Sequence, residues 1–241
     1  MWNDVVELRD FYATSLGQAA RRMIRRRIRL LWPDVRGQRV LGLGFATPYL
    51  RPFREEAERV LAVMPASQGV LPWPEGERGL VALADETALP FPDCSMDRVL
   101  VVHALESSEQ VRMLMREAWR VLADGGQLLV VVPNRRGIWA RLERTPFGIG
   151  RPYTADQLGV LLRDAMFTPM RRETALFMPP SRSRMMLASA PAWEKLGERW
   201  CPAFAGVLLM EAVKQIYAVP LDRVAASRRR ATLVLPQGFR H

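Results

Sequence analysis

The 241-residue sequence has few residues that could bind a metal ion or cross-link the chain. It contains two cysteines, Cys94 and Cys201, and two histidines, His103 and His241. The cysteines are too few and too far apart for a disulfide framework or a zinc cluster, so we expect free thiols in a reducing compartment. No apolar run reaches the roughly 18 residues of a membrane span, and no basic region followed by an apolar core opens the chain. We therefore expect a cytoplasmic protein.

The sequence also lacks the motifs of several enzyme classes. It has no Gly-Lys-Ser/Thr phosphate loop, no Gly-x-Ser-x-Gly elbow and no histidine pair at metal-binding spacing. Lysine is nearly absent as well: Lys195 and Lys214 are the only two among 35 basic residues, so arginine carries the net charge of +10. Such an excess could attract nucleic acid, an anionic membrane surface or an acidic substrate. An arginine-rich proteome would give the same bias without a function.

A hydrophobic content of 49% suits one globular domain spanning residues 1–241. Residues 1–38 form a basic N-terminal helical segment, in which apolar residues recur at helical spacing over 10–31 and arginines fill most of the gaps. This helix either contacts phosphates or lipid, or packs on the core with a solvated basic face, and the second interpretation is favoured. Residues 228–241 are expected to form a peripheral basic tail.

Short apolar strands alternate with helical segments from residue 39 onward, which predicts a mostly parallel sheet covered on both faces. The expected strands are 39–43, 59–64, 80–83, 97–102, 127–132, 168–178 and 206–219. The expected helices are 47–57, 108–122, 154–163 and 183–200. The glycine turn at 123–126 is expected to end the second of these helices.

The stretch from Arg39 to Leu50, RVLGLGFATPYL, has the position and part of the chemistry of a cofactor loop. Gly42 and Gly44 allow the backbone to turn sharply and to approach a ligand. The helix that is expected to begin near Thr47 would offer free amides to a carboxylate or phosphate. Ligands of open parallel sheets lie at this edge, beyond the carboxyl ends of the strands. The two glycines could also serve close packing of strand and helix alone.

Two further blocks add to this loop: ADETALPFPDCSMD from Ala84 to Asp97, and REAWRVLADGGQLLV from Arg116 to Val130. Together the three blocks, over residues 39–134, resemble the class I S-adenosylmethionine-dependent methyltransferases of the type 11-like group. The second block resembles that group's Asp at the end of the third strand and its Leu-Pro-Phe turn, and the third resembles its REVxRVLKPGGxLLVVVP segment.

The resemblance implies a Rossmann-like, mostly parallel seven-stranded sheet with helices on both faces and a final antiparallel hairpin. It also implies S-adenosyl-L-methionine as cofactor and methyl transfer to an unidentified acceptor.

The resemblance assigns cofactor contacts to particular positions. Asp85 matches the carboxylate that accepts the adenine amino group, Glu86 its neighbour beside the ring, and His103 the region near the methionine moiety. The cofactor-binding residues predicted in this way are Gly42, Gly44, Phe45, Ala46, Met64, Asp85, Glu86 and His103. Asp85 could instead cap a short turn, and His103 could be an ordinary histidine at a strand end. His103 and Glu106 are candidates for a base, but the sequence assigns no catalytic residue.

Four positions depart from the family pattern. The family usually has an acid at the position of Gly42 and glycines at those of Ala46 and Pro48, and Met64 stands where an acid normally accepts both ribose hydroxyls. Each lost charge-assisted hydrogen bond is worth roughly 1.5 to 3 kcal/mol, which could weaken cofactor binding by two or more decades. The alternative is therefore a catalytically inactive methyltransferase-like binding or regulatory protein, in contact with nucleic acid or another anionic partner.

The segment 133–154 follows the fifth strand, where the family often has its substrate lid. Its arginines and aromatic residues are Arg135, Arg136, Arg141, Arg144, Trp139, Phe147 and Tyr153. They could face an anionic or aromatic acceptor, or stack on nucleic-acid bases. A packed segment with a solvated basic side is the favoured interpretation, and neither nucleic acid nor a membrane surface is favoured as a partner.

Overall fold

A computed structural model describes residues 4–215 and shows one seven-stranded sheet in the order β3-β2-β1-β4-β5-β7-β6. The strands are β1 (Arg39–Gly44), β2 (Arg59–Pro65), β3 (Val81–Ala84), β4 (Met96–Val102), β5 (Leu122–Pro133), β6 (Phe167–Ala175) and β7 (Val207–Lys214). Strands β1 to β5 are parallel, whereas β7 is antiparallel to both β5 and β6. This confirms the predicted sheet and its final hairpin. The tail 228–241 and residues 216–219 of the expected last strand lie outside the described residues.

Helices cover both faces of the sheet. They are α1 (Val5–Ala13), α2 (Ser15–Leu31), α3 (Thr47–Leu50), α4 (Val111–Val121), α5 (Ala155–Asp164), α6 (Arg184–Ala188) and α7 (Ala190–Trp200). The strand order reverses between β1 and β4, so the carboxyl ends of these two strands flank the crevice in which such sheets bind ligands. None of the helices in residues 4–215 is long and apolar enough to cross a membrane.

The prediction of one N-terminal helix over 10–31 is wrong, because the helix is interrupted at Thr14. This residue is extended, with φ −70° and ψ 157°, and its Oγ1 accepts a hydrogen bond from the Gly17 amide at 3.0 Å. Gly17 is required at the corner, since a Cβ there would overlap the Phe11 carbonyl. The sharp turn leaves α1 free to take a different direction from α2 and to lie across the carboxyl edge of the sheet.

Helix α2 packs its apolar side on the core, and part of its basic side is neutralised by acids. Arg27, which is buried, pairs with Glu198 at 2.6 Å and Glu173 at 3.2 Å, and Arg29 pairs with Glu56 at 2.8 Å. The packed interpretation of this helix therefore holds at these two arginines.

The helix predicted over 47–57 is much shorter than expected. Helix α3 ends at Leu50, and a 3-10 turn, Arg51–Phe53, follows it. Pro52 explains the end of the helix, because proline has no N–H to donate to a carbonyl four residues earlier. Helix α3 begins at Thr47 as predicted, but a helix of four residues has little dipole, so binding of an anion by its first amides stays a prediction.

Other boundaries differ for local reasons. Helix α4 ends at Val121, with Leu122 already extended, and β5 begins at Leu122, so the turn at 123–126 lies within the strand and does not cap the helix. The expected helix 183–200 is two helices separated at Ser189, and the expected strand 168–178 is β6. The predicted cap of α5 is confirmed: Thr154 and Gln157 form a reciprocal capping box.

Candidate functional site

The loop after β1 has the tight geometry that its glycines predict. Gly44 has φ +80°, a left-handed conformation that favours glycine. A Cβ at Gly44 would overlap the carbonyl oxygen of Val102 and lie 2.8 Å from the Cβ of Ala104. Gly44 is therefore needed both for its backbone conformation and for the close approach of the β1 and β4 loops.

Gly42 is enclosed by the residues that follow it. It pairs in register with Ala62 on β2 and Leu100 on β4. A Cβ at this position would lie 2.5 Å from Cδ1 of Leu50 and 2.8 Å from the Cβ of Ala46. Two of the departures from the family pattern are thus linked, because the methyl group of Ala46 lies beside the atom that an acid at position 42 would need.

A cavity of about 340 Å³ opens at the carboxyl ends of β2 and β3. Its lining residues are Ala66, Ser67, Asp85, Glu86, Glu109 and Gln110. A volume of this size lies at the lower end of the roughly 300 to 1,000 Å³ of small-molecule sites. The cavity is therefore suited to a group such as a nucleoside.

Asp85 lies at the cavity with an exposed side chain. Its Oδ1 accepts hydrogen bonds from the amide of Thr87 at 2.8 Å and from the Thr87 hydroxyl at 2.7 Å. These bonds hold the pKa of Asp85 below its usual value, so the carboxyl group is ionised at neutral pH. Asp85 does cap a short turn, as its alternative interpretation proposed, and its exposed carboxylate also faces the cavity.

Glu86 differs from its neighbour because it is buried. The hydroxyl of Ser108 donates to its Oε1 at 3.0 Å, and its Oε2 has no hydrogen-bond partner in residues 4–215. Burial raises the pKa of Glu86 above its usual value. The two adjacent acids therefore offer different chemistry: a charged carboxylate on the cavity and a second carboxyl group in which the proton is held more tightly.

Helix α1 covers the rest of this edge. The amide of Val5 donates to the carbonyl of Gln68 at 2.9 Å, and the Gln68 side-chain amide donates to the carbonyl of His103, also at 2.9 Å. At the other end of the helix, the Tyr12 hydroxyl lies 2.7 Å from Nε2 of His103 and 2.8 Å from the Tyr49 hydroxyl. Helix α1 thus spans from the β2 loop to the β4 loop.

The Tyr12 ring lies in an aromatic enclosure. It stacks on Phe45 at 5.8 Å with an interplanar angle of 20°, and it meets Tyr49 edge to face at 6.0 Å. On the far side of His103, the Phe147 ring lies 5.0 Å from the imidazole. Burial is the largest cause that raises the pKa of Tyr12 and of Tyr49 above the usual value, so both phenols are neutral.

His103 connects this enclosure to a buried acid. Its backbone is left-handed, with φ +52°, which is uncommon for a residue with a side chain. Nδ1 lies 3.2 Å from Oε1 of Glu106, and both side chains are about 1% exposed. The ring N–H is not aligned with this carboxylate, so Nδ1 and both Glu106 oxygens lack a hydrogen-bond partner in the described residues. The contact is electrostatic, and Glu106 retains its full capacity to accept hydrogen bonds.

The predicted site residues fall into three groups. Asp85 and Glu86 line the open cavity, whereas Gly44, Phe45 and His103 meet beneath α1. The others, Gly42, Ala46 and Met64, have no exposed side chain at this edge, and the Met64 side chain is packed in the core. Their role as cofactor contacts stays a prediction.

Three residues of this edge were not predicted from the sequence: Tyr12, Gln68 and Tyr49. Tyr12 lies 91 residues before His103, in a segment interpreted only as a basic helix, and Gln68 follows β2 without any motif. Within residues 4–215, no group of three or more His, Cys, Asp or Glu residues could hold a metal ion.

Comparisons with known proteins agree with this architecture. Residues 40–130 match a family model described as a methyltransferase domain. The chain is 31% identical over 145 residues to an uncharacterised protein of Mycobacterium tuberculosis. This alignment covers 57% of this chain and 48% of that protein. It is 28% identical over 159 residues to a demethylmenaquinone methyltransferase of Thermus thermophilus. This second alignment covers 64% of this chain and 63% of that enzyme. The chain thus spans about half the length of the Mycobacterium relative.

A solved structure with the same fold is a SAM-dependent methyltransferase from Thermotoga maritima. It superimposes with a TM-score of 0.60 at 17% identity and covers 88% of this chain and 96% of that chain. The fold is therefore that of the class I S-adenosylmethionine-dependent methyltransferases, and residues 40–130 match the model of a methyltransferase domain. S-adenosyl-L-methionine is the cofactor that this family and fold imply.

The described residues fit this cofactor at its nucleoside end. The cavity has the exposed carboxylate of Asp85 on its wall, and three buried side chains along the same edge have polar atoms without a partner in the described residues: Gln68, Glu86 and Ser107. Tyr12 fills the edge between Phe45 and His103, because its ring stacks on Phe45 and its hydroxyl lies 2.7 Å from Nε2 of His103. Helix α1 therefore closes the part of the edge between Phe45 and His103.

Proposed function

We propose that this chain is an S-adenosylmethionine-dependent methyltransferase that acts on an unidentified acceptor. The observation that carries the proposal is the exposed carboxylate of Asp85 on a cavity of about 340 Å³, at the end of β3 in a class I sheet. When bound, the cofactor supplies a sulfonium methyl group that transfers to a nucleophile. The chain's part in this chemistry is to bind, to orient and to exclude water.

Asp85 is the proposed acceptor for the adenine amino group, and buried Glu86 forms the wall beside it. Gly44 brings the β1 and β4 loops together without a side chain between them. No acid follows Met64 in the β2 loop, where Ala66 and Ser67 line the cavity instead. Backbone groups and the Ser67 hydroxyl are accordingly the proposed contacts for the ribose.

Calorimetric titration with S-adenosylhomocysteine tests the proposal. Saturable binding is expected, and Asp85→Asn should raise the Kd about 10-fold or more, because a charge-assisted hydrogen bond is worth about 1.5 to 3 kcal/mol. This variant keeps an oxygen for the Thr87 amide, which separates recognition from loss of the turn. Asp164→Asn, an exposed acid at the end of α5, is the control and should leave binding unchanged. The absence of any heat at high ligand concentration would count against the proposal.

The proposed path for the acceptor is a groove of about 830 Å³ on the outer side of α1. Its lining residues include Phe11, Leu16, Ile138, Leu142, Arg144 and Arg182. An apolar wall with two arginines suits an acceptor that has an apolar body and an anionic group. Phe11 separates this groove from Phe147, whose ring lies next to His103. The centroids of the Phe11 and Phe147 rings are 6.0 Å apart.

A second candidate is a binding or regulatory protein that retains the fold without catalysis. One observation favours it: helix α1 covers the edge, with the Tyr12 hydroxyl 2.7 Å from Nε2 of His103 and the Val5 amide donating to the carbonyl of Gln68 at 2.9 Å. This candidate predicts binding of a nucleoside such as 5′-methylthioadenosine that is as tight as that of S-adenosylhomocysteine. Measured methyl transfer to a natural acceptor would rule it out.

The cytoplasmic location and a nucleic-acid partner are further proposals. The location is supported by Cys94 and Cys201, which are both free and exposed. Binding of nucleic acid through the basic face of α2 predicts retention on RNA or DNA that falls steeply with salt. Retention that stays flat across salt concentrations would exclude it.

A further inference from the structure

The Tyr12 hydroxyl occupies the position of a proton donor on His103. It lies 2.7 Å from Nε2, within the range that a general base needs from the proton it abstracts. The hydroxyl is buried, and its phenol is neutral because burial raises its pKa. Nε2 therefore holds a neutral aromatic hydroxyl that belongs to the protein itself.

The other ring nitrogen of His103 faces a carboxylate. Glu106 Oε1 lies 3.2 Å from Nδ1, and neither Glu106 oxygen has another hydrogen-bond partner in the described residues. A hydrogen bond donated by the Tyr12 hydroxyl to Nε2 requires the ring proton on Nδ1, the nitrogen that faces Glu106. The same carboxylate would stabilise an imidazolium formed when Nε2 takes a proton.

The walls around the Tyr12 ring come mostly from outside α1. Phe45 stacks on it from the β1 loop and Tyr49 lies against its edge from α3, and Phe147, from the segment after β5, lies against the imidazole of His103. When α1 moves away, these three rings and the imidazole stay on the body of the fold. The space left behind is shaped for one aromatic ring, with Nε2 placed to hold its hydroxyl.

We propose that the methyl acceptor is an aromatic hydroxyl compound, that His103 is the base for its hydroxyl, and that Tyr12 occupies the acceptor's place while α1 is closed. This inference rests on the proposed methyltransferase function and names its substrate class. Glu106 is a positioning residue in this scheme, since it acts through His103.

The chemical step balances with these groups. The O–H bond of the acceptor breaks, and its proton goes to Nε2 of His103. Bound S-adenosylmethionine would supply the methyl group: the oxygen would bond to the methyl carbon as the carbon–sulfur bond of the sulfonium broke, and the electron pair would stay on sulfur. The products are an aryl methyl ether and a thioether. The imidazolium, held beside Glu106, then returns its proton to water.

Removal of the Tyr12 ring gives a direct test, because Tyr12→Ala leaves a space equal to one phenol. Phenol is the probe, and benzene, which lacks the hydroxyl, is the matched control. Phenol should bind Tyr12→Ala at least 10-fold more tightly than benzene does, and the double variant Tyr12→Ala/His103→Leu should abolish this difference. Equal binding of the two probes to Tyr12→Ala would overturn the role of His103.

A competition experiment with S-adenosylhomocysteine tests whether the acceptor and the cofactor bind at different places. Calorimetry of phenol with Tyr12→Ala should give the same Kd, within about twofold, with and without saturating S-adenosylhomocysteine. Mutual exclusion of the two ligands would overturn the inference, because Tyr12 would then occupy the cofactor's amino-acid end. If S-adenosylhomocysteine binds neither the wild type nor any variant, the proposed function fails as a separate result.

Product formation completes the test. With S-adenosylmethionine, Tyr12→Ala should convert phenol to anisole. Glu106→Gln in this background should lower kcat at least 10-fold with little change in KM for phenol, and Glu106→Asp should restore part of kcat. A bound phenol that is never methylated in the ternary complex would contradict the inference.

Tyr12→Phe serves if the alanine variant does not fold. It keeps the ring and removes only the hydroxyl, so the affinity for S-adenosylhomocysteine should stay within about twofold of the wild type. A tightening of 10-fold or more would show that this hydroxyl competes with the cofactor, and it would overturn the inference.

Discussion

Replacement of Gly42 by aspartate tests whether the family's acid can simply be restored in this chain. The sequence alone suggests a gain, because the family uses an acid at this position to hold the methionine ammonium. The structure predicts the opposite. A Cβ at Gly42 would lie 2.5 Å from Cδ1 of Leu50 and 2.8 Å from the Cβ of Ala46. The Leu50 methyl group can rotate away, but the Ala46 Cβ moves only together with its backbone.

The expected cost of Gly42→Asp has two parts. Overpacking of a filled core costs about 1 to 3 kcal/mol, and a buried carboxylate without a partner costs about 1 to 3 kcal/mol more. A total near the middle, about 4 kcal/mol, should lower the Tm by about 8 to 16 °C in a chain of this size. S-adenosylhomocysteine should bind this variant no more tightly than it binds the wild type.

Urea and thermal unfolding, followed by circular dichroism, measure this cost. Gly42→Ala carries the overpacking without the charge and should show about half of the loss. The double variant Gly42→Asp/Ala46→Gly removes the 2.8 Å contact and should recover part of the stability. A Gly42→Asp variant with an unchanged urea midpoint and 10-fold tighter ligand binding would refute the reasoning.

Three further predictions concern stability. Glu211→Ala removes a buried carboxylate that accepts from the Trp32 ring N–H at 3.1 Å and lies 3.8 Å from the mostly buried guanidinium of Arg98, so it should lower the free energy of unfolding in urea by about 3 to 5 kcal/mol. Hydrogen bonds from Arg39 lower the pKa of Asp97. The stability that the ionised Asp97 contributes is therefore present above the unfolded pKa of about 4 and is lost as pH falls through the folded pKa. The free energies of unfolding of the wild type and of Asp97→Asn should become equal as the pH is lowered. Burial raises the pKa of Tyr49, so stability should fall above about pH 10, where only the unfolded phenol ionises, and Tyr49→Phe should flatten this alkaline decline.

The sheet could be predicted from the sequence because its signals are local. Each buried parallel strand is a short apolar run, and the five parallel strands of the structure lie within a few residues of the runs that predicted them. The cap at Thr154 was also readable, since Gln157 stands three residues later. Errors occurred where proline or a polar cap interrupts an apolar pattern, as at Thr14 and Pro52.

The candidate site could be predicted only in part, because its contacts join distant segments. Motifs placed Asp85 and Glu86 at the edge of the sheet, but they carry no information about which face a neighbouring side chain takes. Met64 stands near the end of β2, and its side chain enters the core shared with α1 and α2. Tyr12 reaches His103 across 91 residues, and no local pattern specifies that contact.

The closed edge of the sheet is also where the described chain satisfies its polar groups least. Eight buried side-chain polar atoms in residues 4–215 lack a hydrogen-bond partner, and six of them belong to Gln68, Glu86, His103, Glu106 and Ser107. Each such group costs about 1 to 3 kcal/mol, so helix α1 closes over an edge that is costly to bury. In the closed form, the stabilisation from the apolar contacts of α1 must exceed the cost of these buried polar atoms. The net free energy needed to open α1 is therefore smaller than its buried apolar area alone suggests. A polar ligand that satisfies these atoms would lower the cost of opening further, and this is a physical reason to expect ligand entry where the cleft is now filled.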